Sequence, residues 1–238
     1  MLKLENLTIK YPDGTEAVSD LSLHVKKGRH VALVGENGAG KTSLMLSIVG
    51  VLSGQGSITV DGVKLTKDTV SQIRQKAGLL FQNPDDQLFM PSIYDDIAFG
   101  PRNLGVDEET IRHRVEDRLM LLGIAHLRDK TALKLSGGEK RMAALATVLA
   151  MKPELMLLDE PTAFLDTRAR RKLIEVLKTL PHTMVIATHD LLFAKEICED
   201  TVVMKEGKIF AEGKSESLLY DANRMKEAGV EAIGAVFY

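Results

Sequence analysis

Cysteine occurs once in the 238 residues, as Cys198, which excludes an intramolecular disulfide framework and fits a reducing compartment. Nowhere do 18 or more apolar residues run together, so no segment is expected to span a bilayer. The opening Met1-Leu-Lys-Leu-Glu-Asn interrupts its apolar residues with charge at once; it does not read as a signal peptide and predicts a cytosolic chain. Neither sign of charge is in surplus. The 31 Lys and Arg face 33 Asp and Glu, a net charge of −2, so no basic excess points to nucleic acid. His24, His30, His113, His126 and His182 are scattered without metal-ligand spacing and join no constellation. No internal repeat or low-complexity linker divides the chain. What is present is ordinary globular usage, 45% hydrophobic and 27% charged, in a length that suits one large domain or two small ones.

Apolar residues alternate at Leu2, Leu4, Leu7 and Ile9 and again over Val18 to Val25, with a turn signal at Pro12-Asp13-Gly14. Gly54 to Leu65 reads as a hairpin turning at Asp61-Gly62, so the first third is expected to be partly antiparallel. His30 to Val34 is a short apolar strand, Thr42 to Leu52 has helical spacing, and Gly78 to Phe81 is a further strand. The middle changes character. Asp107 to Leu122 carries capping acids and then Ile111, Val115, Leu119 and Leu122 at helical spacing; Glu139 to Met151 is a helix rich in alanine. Beyond it, strand and helix alternate: Leu155 to Leu158, Thr167 to Leu180, Thr183 to Ala187, Leu191 to Cys198, Thr201 to Lys205. That alternation predicts a parallel sheet covered by helices. The expected layout is an α/β core with an antiparallel β portion (1–83 and 151–215), a helical insertion (84–150) and a tail (216–238).

Gly35 to Thr42 spells G-E-N-G-A-G-K-T between a strand and a helix, the pattern of a phosphate-binding loop. Its glycines let successive N–H groups point inward, and the helix that follows adds its positive end. Lys41 is expected on the β- and γ-phosphates of a nucleoside triphosphate and the Thr42 hydroxyl on Mg²⁺. The apolar strand Leu155 to Leu158 ends in Asp159-Glu160, which places Asp159 to hold Mg²⁺ and Glu160 to polarise an attacking water. Gln82 and His189 follow strands as well, at the sheet end where ligands of open α/β sheets bind. Gln82 is placed to reach Mg²⁺ or water, His189 the γ-phosphate, and Tyr11 to stack on adenine. Cys198 lies on an apolar helix face and reads as packing. One segment has no evident work within a single chain: Leu135-Ser-Gly-Gly-Glu139 offers backbone N–H groups at a glycine pair and a helix start, a second anion site.

Taken in order, these motifs resemble the ATP-binding-cassette (ABC) ATPases over nearly the whole chain. Tyr11 matches the adenine-stacking loop, Gly35 to Thr42 the Walker A motif, with Glu36, Asn37, Gly38, Ala39, Gly40 and Ser43 on the nucleotide, and Gln82 the Q-loop. Leu135 to Glu139 matches the signature, Leu155 to Glu160 the Walker B motif, Ala163 to Asp166 the D-loop and His189 the switch histidine. The resemblance implies a P-loop NTPase fold with an antiparallel β subdomain and an α-helical signature subdomain, and ATP and Mg²⁺ as ligands. It also implies a head-to-tail dimer in which Ser136, Gly137 and Gly138 close on the γ-phosphate held by the other subunit. Glu139 stands where glutamine is commonest, Phe164 where a small or polar residue is usual, and Thr167 where proline is frequent.

Phe81 to Phe89 (FQNPDDQLF) and Asp96 to Gly105 (DIAFGPRNLG) are similar to the ATPases of energy-coupling-factor importers, and Leu165 to Arg171 to cobalt-type members. That likeness implies uptake of a cobalt or nickel ion or a vitamin, and partnership with a membrane coupling subunit and a substrate-binding membrane subunit at the cytoplasmic face of the cell membrane. Residues 83–105 would line the groove that receives the coupling subunit, and the dimer would be two copies or one copy with a paralogue. The alternatives are another ABC transporter class or a soluble cassette acting on nucleic acid or ribosomes; no lysine-rich insertion or tandem second cassette favours the latter.

Overall fold

In the computed structural model, which describes residues 1–234, the early alternation becomes a four-stranded antiparallel sheet. β1 (Leu2–Lys10) pairs with β2 (Glu16–Val25) across the Pro12–Gly14 turn. β3 (His30–Val34) leaves this sheet for the other one. β4 (Gly54–Val60) then returns to the free side of β1 and turns into β5 (Val63–Lys64). Asp61 and Gly62 both hold positive φ, as a two-residue turn between right-twisted strands requires.

The second sheet has six strands: β6 (Ala77–Leu80), β7 (Leu155–Asp159), β8 (Thr183–Ala187), β3, β9 (Asp200–Lys205) and β10 (Lys208–Lys214), in that spatial order. All neighbouring pairs are parallel except β10 with β9. Both faces are covered, and the alternating residues of each strand divide between two cores. Val31, Leu33, Leu155, Leu157 and Val185 pack toward the antiparallel sheet and α1 (Lys41–Ile48). Ala32, Val34, Met156, Leu158 and Ile186 pack into the larger core with the helices that follow β6. Near-continuous apolar strands are what a sheet buried on both sides demands.

α2 (Val70–Lys76) leads into β6, and α3 (Ile93–Asn103), α4 (Glu108–Leu121) and α5 (Gly137–Ala150) form the helical layer between β6 and β7. α6 (Thr167–Thr179) and α7 (Leu191–Ile197) cross between the later strands. Ser92, Asp107, Ser136, Asp166 and Asp190 each cap a helix with a side-chain oxygen on a backbone N–H. No helix among the described residues is long and apolar enough to cross a membrane.

The structure departs from the sequence expectation in several places. α1 stops at Ile48 rather than Leu52, because Gly50 takes φ +68 and ends the turn. Residues 93–103, read as part of a groove-lining segment, are helical; Ser92 caps that helix and Pro101 enters only in its last turn. α2 and β10 were not expected. The tail folds into two short helices, α8 (Ser215–Leu218) and α9 (Ala222–Glu227), and packs on its own chain through Leu219, Met225, Ala228 and Ala232. Ile233 donates its amide to Leu219, whereas Val236 and Phe237 lie outside the described residues.

Candidate functional site

Four parallel strands of the central sheet lead at their C-terminal ends into one cleft of about 1100 Å³. β3 delivers the glycine loop, β6 delivers Gln82, β7 delivers Asp159 and Glu160, and β8 delivers His189; all four groups line this cleft. Tyr11 stands at its other end, with its hydroxyl 2.9 Å from Ser43 Oγ. The loop's shape depends on two glycines. Gly35 (φ +154) and Gly40 (φ +99) each press against a carbonyl, of Met204 and of Ala17, that a Cβ would strike. Glu36, Asn37 and Gly38 line the cleft with them. Ala39 does not: it is buried beneath the loop, and its amide donates to the Glu36 carbonyl at 3.1 Å.

Lys41 Nζ donates to the carbonyls of Gly35 (2.7 Å) and Glu36 (3.0 Å), and burial lowers its pKa. Thr42 Oγ1 donates to Asp159 Oδ2 at 2.7 Å, and burial raises the Asp159 carboxyl above the usual range. Glu160 sits in left-handed backbone (φ +43) with its amide on the Ala187 carbonyl. Its buried carboxylate lies 2.9 Å from His189 Nδ1 and accepts from the His189 amide at 3.3 Å. The His189 ring itself is 71% exposed. A backbone turned this way drives Glu160 back toward the strand tips instead of out to solvent, at the cost of a conformation that non-glycine residues rarely adopt.

The donor set suits Mg²⁺ better than a transition metal. It offers a hydroxyl and a carboxylate within one hydrogen bond of each other and the amide of Gln82, and no group of three His, Cys, Asp or Glu residues gathers among the described residues. A cation completed by nucleotide phosphate oxygens needs no more from the protein.

Ser136, Gly137 and Gly138 are elsewhere. They line a separate hollow with His126, Phe164, Arg168 and Lys172, and none of them reaches the cleft. Ser136 caps α5 by accepting from the Glu139 amide at 3.3 Å, while Glu139 Oε2 accepts from the Ser136 amide and hydroxyl, each at 2.8 Å. The Ser136 amide bond holds the Glu139 carboxyl below the usual range. The departure from glutamine is thereby accounted for locally: either side chain can close this capping box. Phe164, the other departure, is 86% exposed at φ +61.

Sequence reasoning missed part of the cleft. Thr15, Glu16 and Ala17 line it just past the Tyr11 turn, and Gly229, Val230 and Glu231 of the tail line it from the far end of the chain. The first group could have been read from its nearness to Tyr11. No sequence signal marks the second.

Comparisons with known proteins agree on what this arrangement is. The family model described as "ABC transporter" matches residues 18–163. The energy-coupling factor transporter ATP-binding protein EcfA of Methanothermobacter thermautotrophicus is 40% identical, over 97% of this chain and 76% of its own length. EcfA of Carboxydothermus hydrogenoformans is 38% identical, over 97% of this chain and 87% of its own. Among solved structures, cbiO1 of Clostridium perfringens, part of the ABC transporter complex cbiONQ, superposes with TM-score 0.83 at 36% identity, covering 95% of this chain and 93% of that one. The dimeric cassette MJ0796 bound to ADP and Pi matches with TM-score 0.82 at 27% identity, over 90% of this chain and 99% of that one. Fold, cleft and relatives together place this chain among the ABC transporter ATP-binding proteins, as an ATP-hydrolysing cassette.

Proposed function

We propose that this cassette powers an importer of the energy-coupling-factor type, taking up a cobalt or nickel ion or a vitamin. The observation that carries the reading is the near full-length match to cbiO1, a component of the cbiONQ transporter, alongside relatives named EcfA. Phe89 and Phe99 support it: they are 63% and 40% exposed and meet edge-to-face at 5.1 Å on the segment 83–105. An exposed aromatic of the loop before α3 paired with one on α3 itself suits docking of a membrane coupling subunit, with a substrate-binding membrane subunit beyond it. The chain would then sit peripherally at the cytoplasmic face of the cell membrane and bind no nucleic acid.

In this reading residues 1–83 and 151–215 hold ATP, 84–150 form the signature-bearing helical subdomain, and 216–238 are the tail. ATP enters with adenine on Tyr11 and its phosphates in the loop, against the amides of Gly35, Glu36, Asn37, Gly38, Gly40, Lys41, Thr42 and Ser43, while Ala39 supports the loop from beneath. Lys41 exchanges two neutral carbonyls for the β- and γ-phosphates, a stronger charge-assisted pairing. Thr42, Asp159 and Gln82 would hold Mg²⁺. When bound, it supplies positive charge that offsets the charge building on the phosphate oxygens. Glu160 accepts a hydrogen bond from the attacking water and takes its proton, with His189 fixing the carboxylate through Nδ1. His189 and Gln82, both of which line the cleft, would face the γ-phosphate. Ser136, Gly137 and Gly138 of a second subunit, an identical chain or a paralogue, close the site from outside. ATP binding closes the dimer, and hydrolysis opens it.

Co-expression with the candidate membrane subunits and uptake of radiolabelled cobalt, nickel and vitamins tests the reading. It predicts a stable complex whose ATP-dependent uptake is lost in Glu160→Gln. Failure to co-purify with such subunits, with retention of DNA or RNA on filters instead, would overturn it.

A further inference from the structure

Among the described residues Arg141 is the largest fully buried side chain, only 1% exposed, and no carboxylate of theirs hydrogen-bonds to it. It lies on α5, five residues beyond Ser136. Its guanidinium donates through Nη1 to the Phe81 carbonyl at 2.7 Å and through Nη2 to the Gln82 carbonyl at 2.5 Å, while Nε has no partner. Two consecutive backbone carbonyls are thus gripped by one planar fork. The same loop is tied to α5 twice more. Gln87 donates to Ala144 O and Thr147 Oγ1 while accepting from the Phe81 amide, and Lys140 pairs with Asp85 at 2.6 Å. Of the three side chains that make these ties, Arg141 is the fully buried one.

For stability alone this is a poor arrangement. A charge taken from water and met only by neutral carbonyls and by more distant carboxylates is costly, and apolar side chains of the same bulk usually hold a core as well or better. The geometry is specific instead. A fork fixes two successive peptide planes, and fixing the Gln82 peptide fixes where its side chain enters the cleft. We propose that Arg141 is a positioning residue for Gln82, joining the signature helix of each subunit to the Q-loop of that same subunit's ATP cleft. Closure of Ser136–Gly138 on the facing ATP then moves Gln82 in the subunit's own cleft as part of one body. The proposal rests on the role in turnover given to Gln82 above.

A double-mutant cycle in the full-length chain tests it, with kcat and KM for Mg-ATP read for Gln82→Ala, Arg141→Lys and the pair. Lysine keeps the charge but cannot span two carbonyls. The expected result is a kcat about tenfold lower for each single variant, KM within about twofold of wild type, and a double variant no slower than Gln82→Ala alone. Wild-type kcat in Arg141→Lys, or a double variant slowed by the product of the two factors, about a hundredfold, would overturn the proposal while leaving the role of Gln82 intact. Wild-type kcat in Gln82→Ala would remove that role and the proposal with it. Where Arg141→Lys is recovered unfolded, Arg141→Gln takes its place in the cycle, with the same outcomes deciding.

Discussion

The chain carries two glycine-bearing loops, each at the start of a helix, and their surroundings differ in kind. Gly35–Thr42, with its own Lys41 and Thr42, shares one cleft with Asp159, Glu160, His189 and Gln82. Ser136–Gly138 sits on an open hollow with His126, Arg168 and Lys172 close by and none of the cleft's carboxylates. In the reading proposed above, the first loop holds the triphosphate and the second closes as a lid on the triphosphate of a facing subunit, so that each chain supplies half of two sites.

That contrast can be strained from the cleft side first. Glu160→Gln is expected to lower kcat by between about 10²- and 10⁴-fold with ATP affinity retained, because the carboxylate acts only on the water. Single-turnover hydrolysis beside nucleotide binding measures both. Lys41→Ala should weaken ATP binding by about a hundredfold, the loss of a charge-assisted bond to phosphate in a buried setting, read by fluorescent-nucleotide titration. Ser136→Arg acts on the other loop. It should leave monomer ATP affinity within about twofold but abolish ATP-driven dimerisation and lower turnover about tenfold or more, read by light scattering and an ATPase assay. The smallest effect is expected from Glu139→Gln. Glutamine still closes the capping box but gives up a negative charge at the start of α5, about 0.3–1 kcal/mol. The Glu139 pKa is lowered in the folded state, so its contribution is present above the ordinary glutamate pKa and lost as pH falls through the lowered one. The Tm difference from wild type should therefore be largest at neutral pH and vanish in acid.

The cleft was far more legible than the lid's mechanics. Lys41, Thr42, Asp159 and Glu160 announce themselves because a phosphate loop and a strand-ending acid pair are local patterns, fixed within a few residues of chain. The sheet was legible for the same reason, since β3, β7 and β8 are short and apolar on both faces. α3 was not, because Gly100 and Pro101 interrupt the helical pattern near its end while its first turns are capped and packed. β10 is an exposed edge strand with charges and a glycine, which weakens the alternation. Arg141 reads as one more surface cation beside Lys140 until the fold buries it under the Q-loop. Gly229–Glu231 reach the cleft only through tertiary packing of α9, some two hundred residues from the loop they join.

Mixing two inactive chains tests the division of labour between the loops most directly. A Lys41→Ala chain keeps its signature, and a Ser136→Arg chain keeps its phosphate loop. Paired head to tail they rebuild one intact site, from the loop of the second and the lid of the first. The account predicts that ATP-dependent dimer and a substantial share of wild-type turnover return on mixing, reaching about half if the two sites of a dimer fire independently. A mixture no more active than the two chains assayed apart would contradict it.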